Sequence, residues 1–441
     1  MSSLATQIPE IAEKIKDDEF MANVKEEVAA TIERFSSRIQ EVVQHLFTHP
    51  ELAFEEYIAH DTICDFFEKL GFTVKRQAYG VQTAFEVLTG EGGRLVSINA
   101  EYDALPLVGH ACGHHLIACA GMSAFLSLHF ALKKANVKGR VQLLGTPAEE
   151  SGGGKAALLK GGAYEGVDAA LMTHPATQSM VDPNPAVTGL GAINFLATFR
   201  ITVEFFGRPS HASQSPWEAI NANDAAVAAQ VNIGLLRQQI RPVDRIHGCM
   251  LEGPRAANVI GEYTKLTYMA RSPTKKTVTA LGKRLTACFQ GAALATGCEV
   301  KITPETCYDD LVHTKALLER YTQIANAVPG QLVLPINDES GPGSTDFGNV
   351  SYAVPGIHAF FVIDAPAGTG PHQHGFAAAA GTQDSFERAL TAGSFLALTA
   401  MDLLVDDVFF ATVKDEWETN EKIVENKGAS QESADLAIAG H

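Results

Sequence analysis

Residues 101–115 of this chain carry Asp103, His110, Cys112, His114 and His115, a carboxylate, a thiol and three imidazoles, in fifteen positions. The apolar run 95–100 just before them reads as a buried strand, and a long apolar helix begins near His115. Polar chemistry packed at the end of a buried strand narrows the folds open to the chain. In open α/β sheets the crevice beyond the carboxyl ends of the strands is where ligands bind, and side-chain packing alone does not call for so many donors there. Cys112 and His114 flank Gly113, so a tight turn would aim sulfur and ring nitrogen at one point. The start of the following helix favours negative charge, so the thiol pKa is expected to be lowered and Cys112 to serve as a thiolate ligand.

The rest of the chain sorts around that segment. Residues 1–27 are polar and weakly periodic, a helix or tail laid on the surface, while Ile32, Phe35, Ile39, Val42, Val43 and Leu46 form the stripe of an amphipathic helix over 29–47. A helix at 59–70 and strands at 72–78, 82–88 and 95–100 follow. Then come an apolar helix (116–134), strand 141–147, helix 155–159 and strand 168–173. This alternation predicts an α/β catalytic domain with a mostly parallel sheet flanked by helices. From residue 191 to 305 the order becomes β-α-β-β-α-β, an inserted α+β ferredoxin-like domain. The α/β pattern resumes over 306–407, with helices at 314–327 and 382–404 and a strand at 356–362. A charged tail fills 408–441.

With 34 Lys+Arg against 51 Asp+Glu the net charge is −17, which argues against nucleic acid or an anionic membrane as partner. No apolar run is expected to reach the roughly 18 residues of a bilayer span. Seven scattered cysteines and an N-terminus without a secretion-type apolar core point to a reducing, cytosolic setting.

Each further candidate stands at a strand end or in a Gly/Pro-rich loop. Glu149 and Glu150 lie between an apolar strand and three glycines; elsewhere an adjacent acidic pair is usually a solvated face. His174 follows the next strand, and His372 and His374 sit in a late loop. Cys112, His114, Glu150, His174 and one of His372 or His374 make a sulfur, nitrogen and oxygen donor set for two divalent cations, suited to zinc and tolerant of manganese or cobalt. In extended backbone Glu149 would point away from Glu150, toward the substrate, as general base. Asp103 is expected to orient a ligand from behind. His211, in a loop of the inserted domain, is placed to polarise a carbonyl oxygen, and Asn258 and Arg271 to hold a substrate carboxylate. The loop 343–348 lacks basic residues and reads as a wall of the active site.

These motifs resemble metallopeptidase family 20, which includes aminoacylases, carboxypeptidases of the G type and auxin-conjugate hydrolases. The resemblance runs from about residue 28 to 407. The segment His110–His114 is similar to the His-Ala-Cys-Gly-His motif of the amidohydrolase branch. Residues 145–155, 343–351 and 355–358 look like the β-alanyl-lysine (Xaa-Arg) dipeptidase group. The resemblance implies metal ligands at Cys112, His114, Glu150 and His174, the general base at Glu149, and at His211 a histidine that in dimeric relatives reaches the partner's active site. It favours His372 over His374, because the family's last ligand stands four residues before an aromatic, here Phe376. It also implies that Asn258 and Arg271 bind substrate and that a homodimer forms through 191–305. Gly261 replaces the proline of the family's Asn-Val-Ile-Pro motif. The expectation is therefore a metal-dependent hydrolase of an amide bond in a dipeptide or N-acyl amino acid. An amidohydrolase for a specialised acyl conjugate is the nearest rival, and a binding protein without turnover the more distant one.

Overall fold

All six residues of the Leu95–Ala100 strand are buried, and a strand with no wet face must lie inside a sheet covered by helices. Gly139–Gly145 and Ala169–Ala176 flank it, both parallel to it, and Gly356–Val362 adds a fourth parallel strand beside Ala169–Ala176, with Gly356 opposite Ala170. Phe85–Glu91 and then Val74–Arg76 extend one edge in antiparallel fashion. Gly189–Leu190 and Val333–Leu334 complete eight strands at the other. The computed structural model describes residues 4–341 and 343–426, in two compact units. The first unit holds this sheet and takes in the chain through Ile193, Val312–Glu339 and the part from Val350 onward.

His114–Ala135 is the central helix of that unit and is buried without a break from His114 to Leu128. It packs against the helices Leu4–Thr48 and Gln383–Val405 and against the sheet. Contrary to the expectation of no such run, His114–Ala135 and Gln383–Val405 are both long and apolar enough for a bilayer span; here most of each is buried in the protein interior. The N-terminal segment also differs from expectation. Leu4–Thr48 is one helix, so the boundary expected at residue 27 falls inside it, and Val24 and Val28 continue the buried stripe of Phe35, Ile39 and Leu46. The strand expected over 72–78 shortens to Val74–Arg76 because Gln77 and Tyr79 adopt positive φ. Past Asp406, whose carboxylate caps Phe409 N–H at 2.8 Å, Asp407–Thr419 is a helix that buries Phe409 and Val413. The rest of the expected tail, 427–441, lies outside the described residues.

The second unit covers Asn194–Leu311 and Ser340–Asn349. Its sheet runs Arg245–Glu252, Tyr263–Ser272, Ala197–Phe206, Glu299–Pro304, all antiparallel, which with two helices is the ferredoxin-like order. Along Tyr263–Ser272 every second residue is buried, so one face meets the helices Ala222–Leu236 and Lys275–Thr296. The longer helix is fixed at both ends, by a Thr274–Thr277 capping box and by Gly297 at φ 75°. The loop containing Ser344 groups with this unit.

Two long helices of the first unit meet at Gly393, where an added Cβ would lie 2.1 Å from Ser123 Oγ and 2.7 Å from the Ala120 carbonyl oxygen. Backbone oxygen cannot step aside as a side chain does. Gly393→Ala should therefore destabilise the protein by about 1–3 kcal/mol, read as a lowered midpoint in thermal or denaturant unfolding.

Candidate metal centre

The expected turn at Cys112 exists, and it requires glycine. Gly113 has φ 77°, and a Cβ there would come within 2.6 Å of Pro175 Cγ, so the chain turns sharply into the helix while pressing on the strand that carries His174. Ala169–Ala176 outruns its neighbour Leu95–Ala100, whose pairing with it ends at Ile98 opposite Leu171. His174 is thereby carried to the sheet's rim. Cys112 Sγ and His174 Nε2 stand 3.5 Å apart.

After Gly139–Gly145 the backbone turns, and Ala148 takes φ 61°, an uncommon conformation for a residue with a Cβ. Three bonds hold it there: the Ala148 N–H donates to Glu56 Oε1 at 2.8 Å, and its carbonyl accepts from Gly153 N and Gly154 N at 3.1 Å each. Because this is a turn and not extended backbone, Glu149 and Glu150 do not point apart as expected. Glu149 Oε2 lies 3.9 Å and Glu150 Oε1 3.8 Å from the same atom, His114 Nε2.

The imidazoles are oriented by their other nitrogens. His114 Nδ1 donates to Asp103 Oδ1 at 2.8 Å and His174 Nδ1 to the Pro175 carbonyl at 2.7 Å, which aims Nε2 of each ring at the cluster. His372 Nε2 stands 3.3 Å from Glu150 Oε2, and the His372 N–H donates to the Ala111 carbonyl at 2.8 Å. His374, the other candidate, is exposed and begins the helix His374–Ala380. Two donor groups share Cys112, namely Cys112–His114–His174 and Cys112–Glu150–His372, and a third is Glu101–His114–Glu149, each with ligand atoms within 4.8 Å of one another.

Three buried atoms here have no hydrogen-bond partner among the described residues: Glu101 Oε2, His114 Nε2 and Glu150 Oε1. Buried polar atoms left alone are costly, and a cation among them removes the cost. Charge argues the same way. If Glu101, Asp103, Glu149, Glu150 and Cys112 all ionise, the buried Lys155 ammonium offsets one of the five negative charges. The remainder equals the charge of two divalent cations. The residues fit two such ions, with Cys112 shared.

The ionisation of the protein alone follows from this surplus. Burial opposes charging His114, but Asp103, Cys112 and Glu101 outweigh it and hold the ring well above its ordinary pKa. Burial, with the nearby His114, pushes His174 down to about 4, so it is a neutral donor. Burial would raise Glu150, yet its bond to His372 and the His114 charge bring it below the usual range. The expected lowering of the Cys112 thiol is not found. Burial and the Glu150 carboxylate raise it well above its usual range, so removing that proton falls to the bound cation, as does removing one from His114.

Asp103 is buried where expected and accepts from both His114 Nδ1 and the Glu150 N–H, the latter at 2.9 Å. His211, Asn258 and Arg271 lie in the second unit. There His211 pairs with Val259 and Ala212 N donates to the Asn258 carbonyl, which makes His211 and Asn258 neighbours. His211 Nδ1 accepts from the Ser213 and Gln214 N–H groups at 3.2 Å each, leaving its proton on Nε2. Arg271 donates to Ser344 Oγ at 2.9 Å and to His247 Nε2 at 3.3 Å.

Sequence reasoning passed over Glu56, Glu101 and Lys155. All three are charged residues with no solvent exposure. The alternation of Glu101 and Asp103 past the strand end was the available signal for one of them, since both then face the same way.

Residues 98–379 match peptidase family M20/M25/M40. Xaa-Arg dipeptidase of Mus musculus is 37% identical over 408 residues, 89% of this chain and 92% of that protein. The chain belongs to peptidase family M20/M25/M40. It is accordingly a metal-dependent hydrolase of amide bonds. Xaa-Arg dipeptidase of Homo sapiens is 35% identical over 85% of this chain and 88% of its own length. The M20 fold is shared with the Bacillus subtilis YXEP protein, described as a dinuclear metal binding peptidase, at a TM-score of 0.63 and 20% identity over 84% of this chain and 99% of that one.

Two outcomes follow from the carboxylates behind the site. Asp103→Asn loses the charge that fixes His114 and should weaken cation binding about 10–100-fold in a chelator competition. Burial, helped by the Asp103 charge, raises Glu56 to about 7 from 4.5. The folded state therefore holds that proton more tightly than the unfolded chain, and stability present below pH 4.5 is lost as pH rises through 7. In metal-free protein Glu56→Gln should gain about 3 kcal/mol on the wild type across that window, measured by denaturant unfolding at pH 5 and 8.

Proposed function

We propose that this member of the M20 family hydrolyses small dipeptides whose C-terminal residue is basic. The observation carrying the reading is the pair of donor groups joined at Cys112 with the Glu149 carboxylate beside them. The substrate class is supported by the Xaa-Arg dipeptidases that align over most of their length. Zinc is the proposed cation, since the shared donor is a thiolate and the others are imidazole and carboxylate. Two divalent cations held there would supply Lewis acidity for water and for the amide carbonyl.

The chain's own groups account for the rest. Glu149, not a member of either donor group that contains Cys112, accepts a proton from the attacking water at a carboxylate oxygen. The water oxygen bonds to the carbonyl carbon, the C–N bond breaks, and Glu149 returns the proton to the departing nitrogen. The second water proton passes to the same nitrogen, and the products are a carboxylate and an ammonium. His211, with its proton on Nε2, donates to the carbonyl oxygen as negative charge builds there. Asn258 and Arg271 are assigned to the substrate carboxylate.

A homodimer through 191–305 belongs to the same proposal. Val227, Val231 and Leu235, exposed at four-residue spacing on one helix, support it. Seven free cysteines support a reducing, cytosolic setting.

Glu149→Gln should keep both cations by metal analysis and lower kcat by about 10²–10⁴-fold, whereas unchanged turnover removes the assignment. Substrate class is tested with a panel of dipeptides, β-alanyl-lysine among them, and N-acyl amino acids, with and without chelator. Chelator-sensitive cleavage confined to acyl conjugates would replace the dipeptidase reading.

A further inference from the structure

Glu101 and Lys155 form a buried ion pair at the floor of the metal centre. Both side chains have no exposed surface, and Lys155 Nζ donates to Glu101 Oε1 at 2.5 Å. Burying such a pair costs more in lost hydration than it returns unless the remaining lone pairs are also used. One of them is conspicuously unused. Among the described residues Glu101 Oε2 accepts no hydrogen bond, and it stands 3.5 Å from His114 Nε2, itself without a hydrogen-bond partner among them. Neither atom satisfies the other: at that separation the two make no hydrogen bond. Glu101, His114 and Glu149 form a third group of donors whose ligand atoms lie within 4.8 Å of one another.

We infer that Glu101 is a further ligand to the cation held by His114 and His174, with Lys155 clamping its second oxygen so that the first is aimed at the ion. This rests on the two-cation reading of the site and adds to it an anionic donor on one side only. The three donors common to that side, Cys112, His114 and His174, bring a single negative charge, so the carboxylate brings this ion's ligand charge level with its partner's, where Glu150 does the same. Lys155 keeps the carboxylate in one rotamer and removes its freedom to turn away. The two cations are thereby held with comparable strength.

The test compares wild type with the double variant Glu101→Gln/Lys155→Met, which removes both buried charges together and leaves side chains of similar size. Cation number and dissociation constants are read by competition with a chromophoric chelator, and the visible spectrum of the cobalt-loaded protein reports the ligand field. The expected result is two cations bound by wild type, with one of them weakened about 10–100-fold and its cobalt bands shifted in the folded double variant. Two cations bound by the double variant at wild-type strength would overturn the inference and leave the ion pair as packing. Should the double variant fail to fold by circular dichroism, Glu101→Asp decides. It keeps the charge and the pairing with Lys155 but shortens the reach, so unaltered affinity at both sites would again overturn the inference, and selective loss at one would support it. Wild type that binds fewer than two cations would overturn the two-cation reading itself, and this inference with it.

Discussion

Asp103 holds two parts of the site with one carboxylate. Its Oδ1 takes the proton of His114, on the helix that begins after Gly113, and its Oδ2 takes the N–H of Glu150, in the turn after the neighbouring strand. A helix start and a strand end are thus referred to a single buried anion. That anion survives burial because the His114 charge and hydrogen bond, the Glu150 N–H and Lys155 beyond bring its pKa below the usual range, although burial alone would raise it. Without Asp103 the His114 ring would be free to rotate, and the Glu150 backbone would lose the bond that sets which way the acidic pair faces.

The four parallel strands explain why the donors meet at all. Asp103, the Glu149–Glu150 turn, His174 and the segment leading to His372 each follow or close one of these strands, and parallel strands end on the same edge. The sheet order changes direction at Leu95–Ala100, since the next strand in sequence lies on one side of it and the one after lies on the other. Crevices form at such points. The chemistry therefore occupies the place the fold leaves open.

Much of this was legible in the sequence where local signals were complete. Strand Leu95–Ala100, helix Lys275–Thr296 and strand Gly356–Val362 fall where their apolar runs, Gly297 and Pro355 place them. Gly189–Leu190 and Val333–Leu334 are two residues each and exist only because distant chain segments pair, so no local pattern announces them. The Glu149–Glu150 geometry departs from expectation for a comparable reason: the positive φ of Ala148 is held in part by Glu56, 92 residues earlier in the chain. Glu56, Glu101 and Lys155 resemble surface residues in any window, and burial of a charge is visible only once its partner is placed. The thiol departs from expectation because burial of the sulfur, and then the Glu150 carboxylate, outweigh the helix start.

The pairing of Gly356 with Ala170 spans the whole inserted unit. Strands so far apart in sequence meet late in folding, because a long loop must close before their contacts repay the loss of freedom. His372 lies beyond that strand, so the Cys112–Glu150–His372 group cannot form until the chain has returned to the sheet. His174 and His114, by contrast, belong to one uninterrupted stretch. The first ion position is thus built largely from one continuous stretch of chain, whereas the second joins the two parts of the catalytic sheet that the inserted unit separates.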